Sequence, residues 1–108
     1  MEELALGFSD SKELYRCYMP FFKNGGLFIR SARHYRMGQS LALSVTLPDT
    51  LESVVVSGKV AWISPLGAQS SNPAGIGIAF IDDKHGLCNR IEKLLGGMLN
   101  SNEPTYTM

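Results

Sequence analysis

Side chains that could act as nucleophiles, general bases or metal ligands are few in this sequence, and they are widely spaced. His34 and His85 are far apart, and neither stands at ligand spacing from a cysteine. Cys17 and Cys88 form no C-x-x-C pair, so neither a zinc site nor a disulfide framework is indicated. Because a helix N-terminus stabilises negative charge, we interpret the adjacent acids Asp82-Asp83 as a helix cap rather than an acid–base pair.

Strings that resemble phosphate-binding loops are incomplete. Gly75-Ile76-Gly77 lacks the third glycine of a dinucleotide fingerprint and precedes strand-like residues instead of a helix. Gly58-Lys59 is followed by Val60, where a P-loop requires serine or threonine. The sequence therefore predicts a protein that is not an enzyme and that holds no cofactor and no metal.

Charge is balanced overall but segregated along the chain. Ten basic and ten acidic residues give a formal net charge of zero over 108 residues. That balance argues against a protein that binds nucleic acid or lies on an anionic membrane. Between Leu14 and Pro48, however, there is no acid, and the basic residues are Arg16, Lys23, Arg30, Arg33 and Arg36.

Three of these basic residues, Arg30, Arg33 and Arg36, surround His34 and Tyr35 and allow two interpretations. Their guanidinium groups could hold phosphates or an acidic partner. Alternatively, they lie on a solvated strand end and loop, because exposure is the usual state of arginine.

Aromatic residues are concentrated around Pro20, and they too allow two interpretations. The rings belong to Tyr15, Tyr18, Phe21 and Phe22. A short helix and turn are too small to bury all of them, so some are candidates for an exposed patch at a protein interface. The alternative is that they cap one end of a barrel.

Apolar periodicity predicts the elements that must position these residues. Alternating apolar residues predict strands at 4–8, 27–29, 41–47, 54–63 and 75–81. Gly58 marks a bulge or sharp bend, and a polar loop is expected at 66–74. Asp10 and Glu13 have capping-box spacing, which predicts a short helix that ends before Pro20. A C-terminal amphipathic helix is predicted from the stripe Leu87, Ile91, Leu94, Leu95 and Met98.

Short strands followed by one helix predict a mainly β fold, a small antiparallel β-barrel with a short N-terminal helix and a C-terminal helix. A chain of this length forms one domain, which we place at 1–99, followed by a mobile tail at 100–108. The acidic start is unlike a signal peptide, and no apolar run approaches the ~18 residues that a membrane span needs. Together with unpaired cysteines, these features predict a cytoplasmic protein.

A series of short motifs extends along most of the chain. The run Asn24-Gly25-Gly26-Leu27-Phe28-Ile29 is followed by motifs at 37–41, 54–63, 67–69 and 74–80. In their order and spacing, these motifs resemble those of the PilZ domain family. This resemblance implies a six-stranded antiparallel β-barrel with a C-terminal helix. Segments 18–26 and 104–108 resemble the founding branch of the family, which acts in type IV pilus assembly.

Most PilZ domains bind the second messenger cyclic di-GMP through an R-x-x-x-R segment and a D/N-x-S-x-x-G motif, and this sequence departs from both. With the motif's glycine at Gly26, Phe21 stands at the Asp/Asn position and Lys23 at the serine position. The nearest counterpart of the arginine pair is Lys12-x-x-x-Arg16, in which lysine offers a point charge without a planar face. The expectation is therefore a protein that does not bind cyclic di-GMP itself.

The resemblance to the pilus branch implies a non-enzymatic adaptor that supports pilus biogenesis and twitching motility. Its implied partners are a pilus-extension ATPase (PilB type) and an EAL-domain cyclic di-GMP receptor (FimX type), and we expect a monomer without membrane insertion. The exposed-aromatic interpretation selects Tyr15, Tyr18, Phe21 and Phe22 as apolar anchors, with Arg16 and Lys23 at the rim. The alternative function is a sensor of cyclic di-GMP or another phosphorylated ligand that uses Arg30, Arg33 and Arg36.

Overall fold

A computed structural model describes residues 2–20, 22–30, 35–48, 52–64 and 74–100. In chain order the elements are β1 (Glu2–Gly7), α1 (Ser11–Cys17), β2 (Gly26–Arg30), β3 (Ser40–Thr46), β4 (Ser53–Ser64), β5 (Gly75–Asp82) and α2 (Leu87–Leu95), followed by a 3-10 turn (Gly96–Asn100). The five strands and two helices predicted from apolar periodicity are thus present. Except for Ala74 and Asn100, the loop predicted at 66–74 and the tail predicted at 100–108 lie outside the described residues.

The mainly β class is confirmed, but the sheet differs from the predicted one. Within the described residues it has five strands in the order β1-β3-β4-β5-β2, so a sixth strand and a closed barrel are not found there. The prediction of an entirely antiparallel sheet is wrong for β1, which runs parallel to β3. Parallel neighbours require a long crossover, and here the chain passes through α1 and β2 before it returns as β3.

Strand β4 is long and irregular, and the predicted bulge at Gly58 is confirmed. Its register against β5 shifts between Ser57 and Gly58 and again between Val60 and Trp62. A side chain at position 58 would collide with Ile78 on the neighbouring strand, so only glycine allows this approach. The shifts re-aim the second half of β4 across the sheet.

One face of the sheet and one face of each helix form the main core. Its buried strand residues include Leu41, Leu43, Val45, Val54, Val56, Val60, Ile76, Ile78 and Phe80. The predicted stripe of α2 is confirmed, because Leu87, Ile91 and Leu95 are buried against this core. Each such side chain contributes about 1.5–3 kcal/mol on burial, so α2 is fixed firmly over the sheet.

Both helices have the carboxylate caps that the sequence predicts. Asp10 Oδ1 accepts a hydrogen bond from the Glu13 amide at 2.8 Å. The Asp83 carboxylate accepts from the amides of Leu87 and Cys88 at 2.7 and 2.8 Å. The first turn of α2 is therefore satisfied by the chain itself. Neither helix, nor any other in the described ranges, has the length and hydropathy to cross a membrane.

Gly58→Ala tests the close contact between β4 and β5. The added methyl group would lie 2.8 Å from the carbonyl oxygen of Ala79, which is paired backbone and must shift. We expect the free energy of unfolding to fall by roughly 1–3 kcal/mol in urea denaturation. Gly7→Ala is the matched control, because nothing lies within 4 Å of its added methyl group. Equal stabilities of the two variants would contradict this account of the bulge.

Candidate functional site

The segment between α1 and β2 crosses the edge of the sheet and sends alternate side chains to opposite sides. Tyr18 forms an isolated antiparallel bridge with Leu27, and the Met19 amide donates to the carbonyl of Gly26 at 2.9 Å. Successive side chains alternate in such an extended pairing. Tyr18 therefore enters the main core, whereas Met19 lies on the outer face of the sheet.

The inward side chain, Tyr18, joins this segment to α2. Its hydroxyl donates to Glu92 Oε2 at 2.6 Å and lies 3.2 Å from Cys88 Sγ. Gly25, with φ 77°, makes room for this contact, since a Cβ there would lie 2.8 Å from the same sulfur. Burial, with the hydrogen bonds to Cys88 and Glu92, raises the pKa of Tyr18 well above its usual value. Tyr18 therefore stays protonated and works as a structural link.

The burial of Tyr15 and Tyr18 contradicts the interpretation of the aromatic residues around Pro20 as an exposed patch. The rings of Tyr15 and Tyr18 are 7% and 2% exposed, so the prediction that they form an exposed patch is wrong. They are buried because α1 turns one face toward the core and the α1–β2 segment points Tyr18 inward. Phe22 is partly buried, and Phe21 lies outside the described residues. Whether the cluster binds a partner stays a prediction, for which Phe22 is the ring with accessible surface.

A second apolar layer covers the outer face of the sheet, where β5 carries little side-chain bulk before Ile81. The outward positions of β5 that precede Ile81 are Gly75, Gly77 and Ala79. A Cβ on Gly77 would lie 2.7 Å from the sulfur of Met19, and Met19 is fully buried there. Phe22 covers Gly26 in the same way, with its Cδ2 atom 2.7 Å from the position of a Cβ. Small residues thus let the segment lie directly on the sheet.

Two grooves flank the turn that carries Lys23 and Asn24. The outer-face groove, of about 350 Å³, runs between this turn and strands β4 and β5. Its lining includes Phe22, Lys23, Lys59, Ala61, Ala79 and Ile81. The helix-side groove, of about 250 Å³, runs between the same turn and the start of α2. Its lining includes Lys23, Asn24, Asp83, Cys88, Asn89 and Glu92.

The outer-face groove was missed from the sequence, although a signal for it was present. Residues 75, 77 and 79 alternate with buried Ile76, Ile78 and Phe80, so one face of β5 was readable as a row of Gly, Gly and Ala. A row of that kind predicts a close approach of another segment. The residues beside this row belong to β2 and β4, and the spacing of residues along the sequence does not show which strands pair with β5.

Two of the basic residues singled out from the sequence form ion pairs within the chain. Arg16 and Arg30 both approach the Glu13 carboxylate, at 4.0 and 3.3 Å. Lys23 and Arg36 are exposed, and Arg33 lies outside the described residues. Of the three arginines in the alternative ligand site, Arg30 and Arg36 are among the described residues. Arg30 forms an ion pair with Glu13 of the same chain.

Both thiols are free and hold their protons at neutral pH. Burial, with the nearby Glu13 carboxylate, raises the pKa of Cys17 to about 12. Burial also raises the pKa of Cys88, which is partly accessible. A thiol is a weak nucleophile until it ionises, so these groups are structural. The described residues include no cluster of three or more potential ligands that could hold a metal ion.

A comparison with models of protein families gives a match over most of the chain. The family model described as PilZ domain matches residues 3–97, which is most of the chain. Apart from Glu2 at the start of β1, the match spans every strand and all of α2, and it includes the α1–β2 segment and both grooves. A comparison with curated protein sequences found no match.

Tyr18→Phe tests the link between the α1–β2 segment and α2. It removes the hydroxyl that donates to Glu92 but keeps the buried ring, so we expect the free energy of unfolding to fall by about 1–2 kcal/mol. Tyr35→Phe is the matched control, because its hydroxyl is 3.4 Å from Glu2 Oε2 and forms a weaker bond. Thermal and urea denaturation measure both variants. A stability loss at Tyr18 no larger than at Tyr35 would contradict the link.

Cys17→Ala tests the burial of that thiol through pH. An ordinary thiol ionises near 9.0, whereas folded Cys17 ionises near 12, so only the unfolded state gains this charge in between. The thiol thus lowers the free energy of unfolding as pH rises through that window. We expect the stability advantage of the wild type over Cys17→Ala to shrink above pH 9.0, measured by urea denaturation. Parallel stability curves would contradict the prediction.

Proposed function

The chain belongs to the PilZ domain family, and we propose that it acts as a non-enzymatic adaptor of type IV pilus assembly and twitching motility. In this proposal it binds a pilus-extension ATPase (PilB type) in the cytoplasm, as a monomer. An EAL-domain cyclic di-GMP receptor (FimX type) is the proposed second partner. PilZ domains are generally binding or adaptor domains, and the finer assignment to the pilus branch follows from the resemblance of segments 18–26 and 104–108.

The proposal depends mainly on which residue stands at the serine position of the motif with which the family binds cyclic di-GMP. Lys23 stands at the serine position of the motif, is exposed and lies between two open grooves. A lysine has no acceptor and no planar fork, so it reads neither a guanine edge nor a phosphate bidentately. This supports a surface that contacts protein rather than one that binds the dinucleotide itself.

The counterpart of the arginine pair also supports an adaptor. Lys12 and Arg16 lie on α1, one helical turn apart and both exposed. Arg16 lies 4.0 Å from Glu13, a carboxylate of its own helix. A clamp for a dinucleotide requires two guanidinium groups that converge on one ligand. One lysine and one arginine turned toward its own chain do not supply that clamp.

Accessible surface near the family motif is suited to a protein partner. Phe22 offers an aromatic ring that is only partly buried, and Arg16 and Lys23 offer exposed charge. An aromatic anchor with charged residues around it is typical of protein interfaces. The alternative, a sensor that uses Arg30, Arg33 and Arg36, is less well supported because Arg30 pairs with Glu13 at 3.3 Å.

Calorimetric titration of the protein with a purified extension ATPase tests the proposal. We expect binding at micromolar concentrations, and we expect Phe22→Ala to weaken it by at least about tenfold, since anchor residues contribute about 2 kcal/mol. Val55→Ala is the control, because Val55 is another exposed apolar residue and lines neither groove beside Lys23. Thermal denaturation of each variant separates lost binding from lost folding.

A second titration, with cyclic di-GMP, decides between the two candidate functions. We expect no heat from the dinucleotide with the wild type. Binding that Arg30→Ala abolishes would favour the ligand sensor. A folded ATPase that does not bind the wild type at micromolar concentrations would contradict the adaptor.

A further inference from the structure

We propose that the outer-face groove is the docking site for an acidic peptide segment of a partner protein, in which an aliphatic side chain is flanked by aspartate or glutamate. The inference deepens the proposed adaptor function and rests on it. It is carried by three features of the groove: a low floor at Ala79, apolar walls, and two lysines that have no counter-charge among the described residues.

The floor is a row of neighbouring positions on the outer face of three strands. Ala79 of β5 lies opposite Gly26 of β2 on one side and opposite Lys59 of β4 on the other. Residues that face each other in a sheet project to the same side. Phe22 covers Gly26, so the open part of this row is Ala79, whose methyl group leaves the sheet surface low between Phe22 and Lys59. A partner segment can approach the strands closely at this position.

The walls offer apolar surface to water. The Phe22 ring lies over Gly26 at one side, and Ala61, in the second irregularity of β4, lies at the other. Ile81 closes one end and remains 49% exposed, although it is a large apolar residue. Apolar side chains grouped around a groove indicate a binding surface more often than isolated ones do. An aliphatic side chain of a partner would cover this surface.

The charges select an acidic partner. Lys23 and Lys59 line the groove, are both exposed, and have no ion-pair partner in the part of the chain that the structure describes. No acid lines the groove among these residues. The acids that follow β5 are engaged elsewhere, because Asp82 approaches Lys84 at 3.7 Å and Asp83 caps α2. Two ammonium groups beside an apolar floor therefore complement carboxylates on either side of an apolar side chain.

The same lining argues against a nucleotide as the occupant. Recognition of a base edge needs side chains with directed donors and acceptors. Of the described residues that line the groove, Asn24 is the one with a side-chain amide, and it donates to the carbonyl of Phe80 at 3.4 Å. Lysine supplies charge without a fork that fixes a phosphate. The groove therefore favours a peptide, because apolar side chains and carboxylates can contact its apolar walls and its lysines without directed hydrogen bonds to a base.

Selection from a random peptide library displayed on phage tests the proposal on the full-length wild-type chain. We expect the recovered peptides to share an aliphatic residue with aspartate or glutamate on both sides. A fluorescently labelled synthetic peptide of the recovered sequence is then titrated by anisotropy against each variant. Lys59→Glu reverses one charge of the groove and is expected to weaken binding about tenfold, with a smaller loss at high salt.

Two variants make the test specific. Ala79→Gln fills the floor without a charge change and is expected to weaken binding about fivefold or more. Lys12→Glu is the matched control, because it makes the same charge reversal at an exposed position of α1 outside the groove. Thermal denaturation confirms that each variant is folded.

The outcomes separate this inference from the proposed function. Recovery of no peptide, recovery of peptides without acids, or equal losses in Lys12→Glu and Lys59→Glu would overturn the docking site. Displacement of the peptide by cyclic di-GMP would also overturn it, because the groove would then hold a nucleotide. If the extension ATPase binds the wild type and Lys59→Glu equally well, the adaptor function is supported and the docking site in the groove is contradicted.

If the peptides bind as expected but the ATPase does not bind the wild type, the docking site is supported and the ATPase is not its partner.

Discussion

The contact between the α1–β2 segment and the bare outer face of β5 is the constraint on which the rest of the structure depends. Gly77 of β5 leaves room for Met19, whose sulfur lies 2.7 Å from the position that a Cβ would take there. Gly26 of β2 leaves room for the Phe22 ring in the same way. A larger residue at either position would lift the segment, and with it the position of Lys23 and both grooves.

The same crossing ties the sheet to its helical cover. Since neighbouring residues of an extended segment point to opposite sides, one short stretch places Met19 outside and Tyr18 inside. Tyr18 then reaches Glu92 of α2, so the outer layer, the sheet and the C-terminal helix are joined through three consecutive contacts. The turn that follows is also tied to β5, because the Asn24 side chain donates to the carbonyl of Phe80 and the Phe80 amide donates to the carbonyl of Gly25.

Many features of the fold were predictable from the sequence, because each depends on a few adjacent residues. The alternation in β4, the bulge at Gly58 and the cap at Asp83 each follow from the chemistry of a few adjacent residues. The burial of Tyr15 and Tyr18 did not follow, because an apolar ring near a turn is equally compatible with a core and an interface. The parallel pairing of β1 with β3 was also not predictable from the sequence. Apolar periodicity shows which side chains of a strand are buried, but not whether the neighbouring strand is parallel or antiparallel. The grooves depend on three strands in register, so single-strand patterns could not locate them.

The pairing of β1 has a consequence for how the sheet is assembled. Strands β3, β4 and β5 are consecutive and antiparallel, so their pairing closes short stretches of chain. Strand β1 instead pairs with β3 across all of α1 and β2, and in the described residues β3 is its one strand neighbour. Contacts of long sequence separation cost more loop entropy to form. The meander of β3 to β5 is therefore the natural nucleus of this domain, and the edge strands β1 and β2, whose pairings close long stretches of chain, add to it.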